Sequence, residues 1–302
     1  MNRQVLIDKL DLAEALAEGP ITNRFFASGL NYLSFQWYKR VVYPLLKKGK
    51  LTKTALFFGQ QMLVKLPAGS DLYLIGAKTH PSEIRLAKFL IRHLEPGMQF
   101  LDIGAHFGYF SLLAANLVGP EGKVISLEAS KHMFHILEKN TDQNTQNLSI
   151  HAAAGDTDGE ITFYDYPLIY SEYNTIEGDQ YNNDEWNKNI PVEKTAVKMY
   201  SLDTLITEQK IQPKVIKIDV EGAETKVLQG LSKSSKIKPI IIFEYIKAKP
   251  QDGLVELISE IADRYKLHLM DAEGNVGHAI NLEDKNQLSS MMDSENLILR
   301  PF

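Results

Sequence analysis

The sequence predicts an α/β fold in which helices cover both faces of a doubly wound, mostly parallel sheet. From Pro81 onward, segments with helical periodicity alternate with short buried strands, the pattern of a parallel sheet with crossover helices. The strands expected at 215–220 and 239–245 are largely continuous apolar runs, as in strands buried on both faces. Strands at 266–271 and 296–300, joined by a long polar connection, predict a terminal antiparallel hairpin.

A helical segment precedes this sheet. Apolar residues at mixed three-four spacing predict a helix over 3–18, ended by Gly19 and Pro20. Residues 21–50 indicate one or two aromatic-rich helices, and strands are expected at 61–66 and 71–75 around a turn. We therefore predict an N-terminal helical extension with a short β-hairpin over 1–78, followed by one Rossmann-like domain over 79–302.

Within the second domain the elements follow one another at regular spacing. Helices are expected at 82–93, 109–118, 131–140, 201–208, 223–231 and 253–265, with strands at 99–103, 123–128 and 148–153 between the first of them. A polar insertion loop at 163–197 interrupts the rhythm. Its aromatic residues either recognise an acceptor or pack on their own scaffold; they are Tyr164, Tyr166, Tyr170, Tyr173, Tyr181 and Trp186.

Composition excludes several classes of protein. The chain has 302 residues, 44% hydrophobic residues and a net charge of −5, which is typical of a globular protein and unfavourable for binding nucleic acid. The absence of cysteine excludes disulfides, thiolate zinc sites and a cysteine nucleophile. The N-terminus has no apolar signal core, and no apolar run approaches the roughly 18 residues of a membrane span. We expect a soluble, cytoplasmic protein.

Chemistry is expected just after the strands, because ligands of open parallel sheets bind beyond the carboxyl ends of the strands. After the first strand comes Asp102-Ile-Gly104-Ala-His-Phe-Gly108, in which the glycines permit a tight turn and a close approach of backbone to a ligand. The second strand ends at Glu128, about 20 residues past Gly108, where an acidic side chain can bind ribose hydroxyls. The alternative is a helix-capping turn and a surface glutamate.

The charge in this loop favours one class of cofactor. A dinucleotide site has a G-x-G-x-x-G pattern that accepts a pyrophosphate, whereas here an acidic residue, Asp102, stands two positions before the first glycine. A carboxylate suits a ligand that carries an ammonium and repels one that carries phosphates. S-adenosylmethionine, with an α-ammonium, a sulfonium and a ribose, therefore fits better than a hydride-carrying dinucleotide.

At this point the chain resembles the FkbM-type methyltransferases, which are class I S-adenosylmethionine-dependent enzymes. The resemblance covers roughly residues 72–245, and its most specific part is the block Lys217-Ile-Asp219-Val-Glu221-Gly-Ala-Glu224. Other resembling blocks are LDIGAHFGYFS at 101–111, GKVISLE at 122–128, YSLDTL at 200–205, VLQG at 227–230 and KPIIIFE at 238–244.

The resemblance implies roles for individual positions. The methionine end of the cofactor would lie against Asp102, Gly104, Ala105, His106 and Gly108. The ribose would be bound at Glu128 and Ala129, and Ala153 with Ala154 would face the adenine. Asp219 would lie beside the sulfonium and the acceptor. Two positions depart from the family pattern: His106 stands where asparagine is usual, and Ala129 where proline is common.

Methyl transfer to a hydroxyl usually needs a base. Alternation places Lys217 and Asp219 on one face of their strand, with Glu221 in the turn beyond and Glu244 at the end of the next strand. Carboxylates clustered there can raise one pKa and supply that base. The alternative is that Lys217 pairs with Asp219 or Glu244 only to make a buried charge tolerable, and that Glu224 is only a helix-start charge.

Two further features concern metal binding and partners. Asp219 and Glu221 offer hard oxygen ligands that suit magnesium, but we find no further spaced ligand set and predict no metal site. The segment 24–53 combines aromatic and basic residues, and is interpreted as a helical cap, a homodimer contact or a membrane-surface helix.

We therefore predict an S-adenosylmethionine-dependent O-methyltransferase that acts on a hydroxyl of a saccharide or secondary metabolite, with no nucleic-acid partner. The alternatives are an NAD-dependent oxidoreductase on a similar fold and a non-catalytic cofactor-binding module.

Overall fold

The N-terminal part of the chain is helical and then forms a hairpin. The computed structural model describes residues 2–20, 23, 28–167, 176, 190–231, 237–247 and 252–302. Its first elements are α1 (Arg3–Glu18), α2 (Leu30–Trp37), a π-helical turn (Tyr38–Val42), α3 (Tyr43–Leu46), β1 (Lys50–Ala55), β2 (Gln61–Leu66) and α4 (Ser70–Ile75). Strands β1 and β2 pair antiparallel with each other.

Helices and strands then alternate as the sequence predicts. They are α5 (Pro81–His93), β3 (Gln99–Ile103), α6 (Tyr109–Val118), β4 (Lys123–Glu128), α7 (Lys131–Thr141), β5 (Asn147–His151), β6 (Ala153–Gly155), β7 (Gly159–Asp165), β8 (Glu193–Ser201), α8 (Leu202–Glu208), β9 (Val215–Ile218), α9 (Glu224–Gln229), β10 (Ile240–Ile246), α10 (Leu254–Glu260), β11 (Tyr265–Met270), β12 (Val276–Ala279), α11 (Lys285–Ser290) and β13 (Ser294–Pro301).

The largest sheet has eight strands in the order β12-β11-β13-β10-β9-β3-β4-β5. Strands β10, β9, β3, β4 and β5 run parallel, whereas β13 pairs antiparallel with both β10 and β11. The predicted doubly wound fold class with its terminal antiparallel pair is therefore confirmed. The chain proceeds from β3 outward to β5 and later returns through β9 to β10, so the strand order reverses between β3 and β9.

Helix α1 packs on the same core as the sheet. Its Leu6 and Leu10 are fully buried in one cluster with Phe89 and Leu90 of α5. Beside them the ammonium of Lys88, only 3% exposed, contacts Asp11 at 2.7 Å and Glu14 at 3.0 Å. These contacts fix α1 against α5. The division of the chain at residue 78 stays a prediction.

A strand prediction in the N-terminal part was wrong. Residues 71–75 were expected to pair with β2, but they lie in helix α4, and the partner of β2 is β1. The carboxylate of Asp71 accepts a hydrogen bond from the Leu72 amide at 2.8 Å, and the helix ends at Gly76 with φ +77°. The Leu72 side chain is buried in this helix. Because the apolar run at 71–75 is short, its hydrophobic periodicity does not distinguish a helix from a strand.

Two further predictions are corrected at their boundaries. The strand expected at 148–153 divides into β5 of the main sheet and β6 of a three-stranded sheet with order β6-β8-β7. The expected loop at 163–197 begins and ends inside β7 and β8, which pair antiparallel and align Ile161 with Val197. Buried Phe163 and Val197 pack with Ala153 on one face of this small sheet, which explains why these ends are extended. Helix α10 is also shorter than the helix expected at 253–265.

Within the described residues, no helix is both long enough and apolar enough to cross a membrane.

Candidate functional site

The site lies where the strand order reverses. Strands β3 and β9 are parallel neighbours, with Asp102 opposite Lys217 and Ile103 opposite Ile218. Just beyond them the Asp219 amide donates to the Ile103 carbonyl at 3.1 Å. The two sequence blocks that carry the resemblance therefore meet side by side at the carboxyl ends of their strands, where open sheets bind ligands.

The turn after β3 can be made only with glycine at its start. Gly104 has φ +75°, and a Cβ atom there would lie 1.7 Å from the carbonyl oxygen of Asp219. His106 also adopts a left-handed conformation, with φ +51°, which histidine tolerates better than most residues. The departure at this position therefore leaves the turn intact. Burial, assisted by Lys78 and Lys217, lowers the pKa of His106 to about 3, so its ring is neutral.

A buried ammonium ties the two strand ends together. The Lys217 side chain is 3% exposed, and its Nζ donates to the Gly104 carbonyl at 2.7 Å. The same Nζ lies 3.2 Å from Asp102 Oδ1 and 3.3 Å from Asp219 Oδ2. Burial alone would lower the pKa of this amine, but the two carboxylates outweigh it and raise the pKa above its usual value.

Asp102 lies behind the loop, not on a ligand-facing surface. Its side chain is fully buried and accepts a hydrogen bond from Ser111 Oγ at 2.6 Å, and Ser126 Oγ donates in turn to Ser111 at 2.8 Å. The cation that balances Asp102 is Lys217 of the same chain. The sequence predicts that the Asp102 carboxylate attracts the ammonium of a ligand. In the structure it pairs with the ammonium of Lys217 instead.

Glu128 connects the ends of β3 and β4. One of its oxygens accepts from the His106 amide at 2.7 Å, and the other accepts from the Ser130 amide at 2.8 Å. Burial raises the pKa of Glu128 to about 7 even though both hydrogen bonds favour its charged form. The carboxylate therefore lies against the glycine loop at the position where the sequence predicts a ribose ligand.

The turn after β9 is held by a carboxylate of its own. Glu224, 1% exposed, accepts from the Val220 amide at 2.9 Å and from the Gly222 amide at 3.0 Å. These bonds shape a turn in which Glu221 has φ +55°. Burial raises the pKa of Glu224 to about 7. Glu224 thus positions this turn and is more than a charge at a helix start.

Three carboxylates converge at the end of β9 and β10. Asp219, Glu221 and Glu244 each offer an oxygen, and these oxygens lie within 4.8 Å of one another. Glu244 also accepts a hydrogen bond from Ser294 Oγ at 2.7 Å. Burial and then the charge of Asp219 raise the pKa of Glu244 to about 8. Carboxylates this close suit either a proton acceptor or a cation, and the absence of a metal site stays a prediction.

A cavity of about 610 Å³ opens over these residues. Most of the predicted site residues line it: Gly104, Ala105, His106, Glu128, Ala129, Ala154, Lys217, Asp219, Glu221 and Glu244. Asp102 and Gly108 are not among its lining residues. Gly108 instead begins helix α6 with φ +91°, where a Cβ would lie 2.7 Å from Leu137. The sheet thus brings together nearly the whole predicted set.

One part of the cavity lining was missed by sequence reasoning. It comes from the segment before the sheet and contains Asp71, Lys78, His80 and Glu83. Lys78 Nζ lies 3.0 Å from Glu83; burial alone would lower the pKa of this amine, but the carboxylates of Glu83 and Asp71 outweigh it and raise the pKa above its usual value. No periodicity shows that the connection between α4 and α5 folds over the strand ends. The one usable signal was the polar run from Lys78 to Glu83, which lies directly before and within the first turn of α5.

Some of the aromatic and apolar residues expected in the loop at 163–197 lie on or near the cavity wall or the small sheet. Phe163 and Ile176 line the cavity, whereas Tyr166 is buried and Tyr164 lies under the Lys194 ammonium at 5.0 Å. The other aromatic residues of that prediction, Tyr170, Tyr173, Tyr181 and Trp186, lie outside the described residues.

Comparison with known families gives one match. The family described as "Methyltransferase FkbM domain" matches residues 102–274, more than half of the chain. The match begins at Asp102 and includes both blocks that meet at the site. It starts later and ends later than the range 72–245 expected from the sequence alone.

Comparison with curated proteins gives more distant relatives. The chain is 29% identical to the protein-L-isoaspartate O-methyltransferase of Triticum aestivum over 99 residues, 33% of this chain and 39% of the relative. It is 20% identical to the hexuronic acid methyltransferase AglP of Haloferax volcanii over 175 residues, 57% of this chain and 66% of the relative. The chain therefore spans about two fifths of the wheat relative and about two thirds of the archaeal one.

The solved structures that match this chain share little sequence identity with it. Fibrillarin of Aeropyrum pernix, in complex with S-adenosyl-L-methionine, is 9% identical with a TM-score of 0.41, covering 84% of this chain and 99% of that one. The O-methyltransferase of Bacillus cereus, in complex with SAH, is 16% identical with a TM-score of 0.38, covering 78% and 86%.

Replacing Gly104 with alanine tests the close approach of the two loops. Gly104→Ala and Gly59→Ala both place alanine at positive φ, but nothing lies within 4 Å of a Cβ at Gly59, whereas the Asp219 carbonyl blocks it at Gly104. Both variants carry the left-handed strain of about 1–2 kcal/mol. We expect Gly104→Ala to lower the free energy of unfolding in urea by about 1–3 kcal/mol more than Gly59→Ala does. Equal losses would show that the two loops do not touch.

Proposed function

The chain belongs to the FkbM family of class I S-adenosylmethionine-dependent methyltransferases, and we propose that it transfers a methyl group to a hydroxyl of a saccharide. The single observation that carries this proposal is the convergence of Asp219, Glu221 and Glu244 on one cavity next to the glycine loop. Membership of a methyltransferase family decides against the NAD-dependent oxidoreductase alternative. Cytoplasmic location stays a prediction.

The chemistry of the cavity suits the methyl donor. Among the residues that the structure describes, six carboxylates and two lysines line it, and each lysine is paired with one or more of the chain's own acids; the carboxylates are Asp71, Glu83, Glu128, Asp219, Glu221 and Glu244. An acidic cavity attracts a sulfonium and an ammonium and repels the phosphates of a dinucleotide. When bound, S-adenosylmethionine supplies a methyl group made electrophilic by its sulfonium.

We assign the donor to the side of the cavity formed by the glycine loop. Gly104, Ala105 and His106 would lie against its methionine part, and Glu128 with Ala129 would bind its ribose. Ala154 of β6 lines the cavity and would face the adenine. Asp102 and Gly108 would act indirectly, through Lys217 and through the start of α6.

The acceptor would occupy the side that holds the three carboxylates. Carboxylates accept hydrogen bonds from hydroxyl groups, and Ser82, Ser294 and Asn296 add further polar atoms to this wall. A carboxylate acceptor, such as an isoaspartyl side chain, would be repelled by the same charges. The hexuronic acid methyltransferase relative supports a saccharide. We infer that a hydroxyl of the sugar, and not a carboxylate, is turned toward the acidic cluster.

We assign the role of base to Glu244. Its pKa of about 8 lets it hold a proton taken from an acceptor hydroxyl. As the hydroxyl oxygen forms its bond to the methyl carbon, the carbon–sulfur bond breaks and the hydroxyl proton moves to Glu244, leaving a methyl ether and S-adenosylhomocysteine. Asp219, fixed by the Lys217 ammonium, would orient the hydroxyl, and Glu221 would bind a neighbouring one. The alternative acceptor is a hydroxylated secondary metabolite.

Methyl transfer to chemically distinct acceptors tests the proposal. The protein is incubated with methyl-labelled S-adenosylmethionine and, separately, with neutral oligosaccharides, uronic-acid oligosaccharides and an isoaspartyl peptide. We expect label on a saccharide that survives mild alkali, because methyl ethers are stable there and methyl esters are hydrolysed. Alkali-labile label would place the methyl on a carboxylate and contradict the proposal. Binding of S-adenosylhomocysteine in a calorimeter without transfer to any acceptor would favour the non-catalytic module.

The pH dependence of turnover tests the role of Glu244. A base must be unprotonated to act, so we expect kcat/KM to rise with pH and to reach half its plateau near pH 8, the pKa of Glu244. Glu244→Gln should lower kcat about 100-fold or more and remove this rise.

Glu160→Gln is the matched control, because Glu160 is an exposed carboxylate of β7 that does not line the cavity. It should keep the rise near pH 8. If Glu244→Gln keeps the rise as well, another group is the base. Asp219→Asn should lose turnover at every pH, since Asp219 orients the acceptor.

A further inference from the structure

The helical segment over residues 30–46 exposes a row of apolar side chains. This apolar stripe consists of Leu30, Leu33, Trp37, Val41 and Leu45, which are 84%, 52%, 64%, 44% and 78% exposed. Their spacing of three or four residues places them on one side of the segment. Large apolar side chains gathered on one face, in contrast to scattered ones, mark an interaction surface.

A different face of the same segment already packs on the protein. Phe35 and Tyr38 are 4% and 6% exposed and form a cluster with Leu66 of β2. Tyr38 also donates its hydroxyl to the Lys48 carbonyl at 2.6 Å. These buried residues therefore hold the segment against the protein as a helical cap. The apolar stripe is additional and is not needed for that packing.

Charge around the stripe differs from charge in the rest of the chain. Between Glu18 and Asp71 the sequence contains no acidic residue and eight basic ones, although the whole chain has a net charge of −5. The residues beside or just beyond the stripe are exposed: Lys39, Arg40, Lys47, Lys48, Lys50 and Lys53. An apolar face edged by lysine and arginine is the pattern of a helix that lies in the plane of an anionic membrane surface.

We propose that the apolar stripe docks the protein on an anionic phospholipid membrane, with the helical segment parallel to the surface. A second copy of the chain is disfavoured, because a two-fold contact would bring two basic regions together with no acidic residue in the segment to neutralise them. Anionic headgroups supply that neutralisation, and the stripe enters the acyl boundary. At about 1.5 Å per residue the segment is roughly 25 Å long and lies on the surface without spanning.

Docking would bring one wall of the cavity close to the membrane. The buried cluster under the segment includes Tyr73 and Leu74 of helix α4, and Ser70, Asp71 and Leu72 of the same helix line the cavity. The hydroxyl of Ser28 donates to the Leu74 carbonyl at 2.6 Å and adds a further link. This inference concerns where the enzyme acts and is independent of which acceptor it methylates.

Sedimentation with lipid vesicles tests the proposal. The full-length protein is mixed with vesicles of phosphatidylcholine alone and of phosphatidylcholine with about one third phosphatidylglycerol. We expect pelleting only with the anionic vesicles, and release in high salt. The double variant Leu33→Ser/Trp37→Ser should lower the vesicle partition coefficient about tenfold or more. Lys39→Gln/Arg40→Gln should lower it by a similar factor.

Leu12→Ser is the matched control, since Leu12 is an apolar residue of α1 that is 61% exposed and outside the stripe. It should bind vesicles as the parent protein does. Tryptophan fluorescence gives a second readout: emission should shift to the blue with anionic vesicles, and Trp37→Phe should remove the shift although one tryptophan remains.

Three outcomes would overturn the proposal. The first is unchanged vesicle binding by Leu33→Ser/Trp37→Ser. The second is equal binding of the parent protein to neutral and anionic vesicles. The third is a dimer in light scattering that the same double variant converts to a monomer, with no vesicle binding by the parent protein. That third result would assign the stripe to a contact between two copies of the chain.

Discussion

The structure of the site depends on one buried ammonium. Lys217 neutralises Asp102, donates a hydrogen bond to the Gly104 carbonyl and contacts Asp219, and so joins two adjacent parallel strands at their carboxyl ends. A buried charge without partners is strongly destabilising, which means that the Asp102–Lys217 pair constrains both strands to one register. The two loops that follow can then approach so closely that only glycine fits at position 104.

That constraint also explains the electrostatics of the cavity. Lys217 is already paired with Asp102 and Asp219, so it does not neutralise all of the cluster of Asp219, Glu221 and Glu244. Burial and then the charge of Asp219 raise the pKa of Glu244 to about 8, while amide hydrogen bonds hold Glu128 and Glu224 in fixed positions. A positively charged donor and an uncharged hydroxyl suit such a cavity better than a phosphate or a carboxylate does.

The sequence predicts most of the residues that line the cavity because the rule about strand ends is general. The glycine loop, Glu128, Asp219 and Glu244 are expected together at the strand ends, and the structure brings them to one cavity. The sequence does not give the register that sets Lys217 opposite Asp102. For that reason Asp102 was predicted to bind a ligand, whereas its partner in the structure is Lys217. Sequence reasoning also missed the part of the cavity lining that carries Lys78 and mistook a helix for a strand at 71–75, since both depend on tertiary packing and not on periodicity.

The most direct test of the role of Lys217 is the affinity for S-adenosylhomocysteine of a variant that lacks the Asp102–Lys217 ion pair. Lys217→Met alone would leave a buried charge, so the double variant Asp102→Asn/Lys217→Met is compared with the parent protein by urea unfolding and by calorimetry with S-adenosylhomocysteine. We expect a folded protein whose affinity for S-adenosylhomocysteine is about tenfold or more weaker, because the glycine loop and Asp219 are no longer held together. A folded double variant that binds this nucleoside as tightly as the parent protein would contradict this role of Lys217.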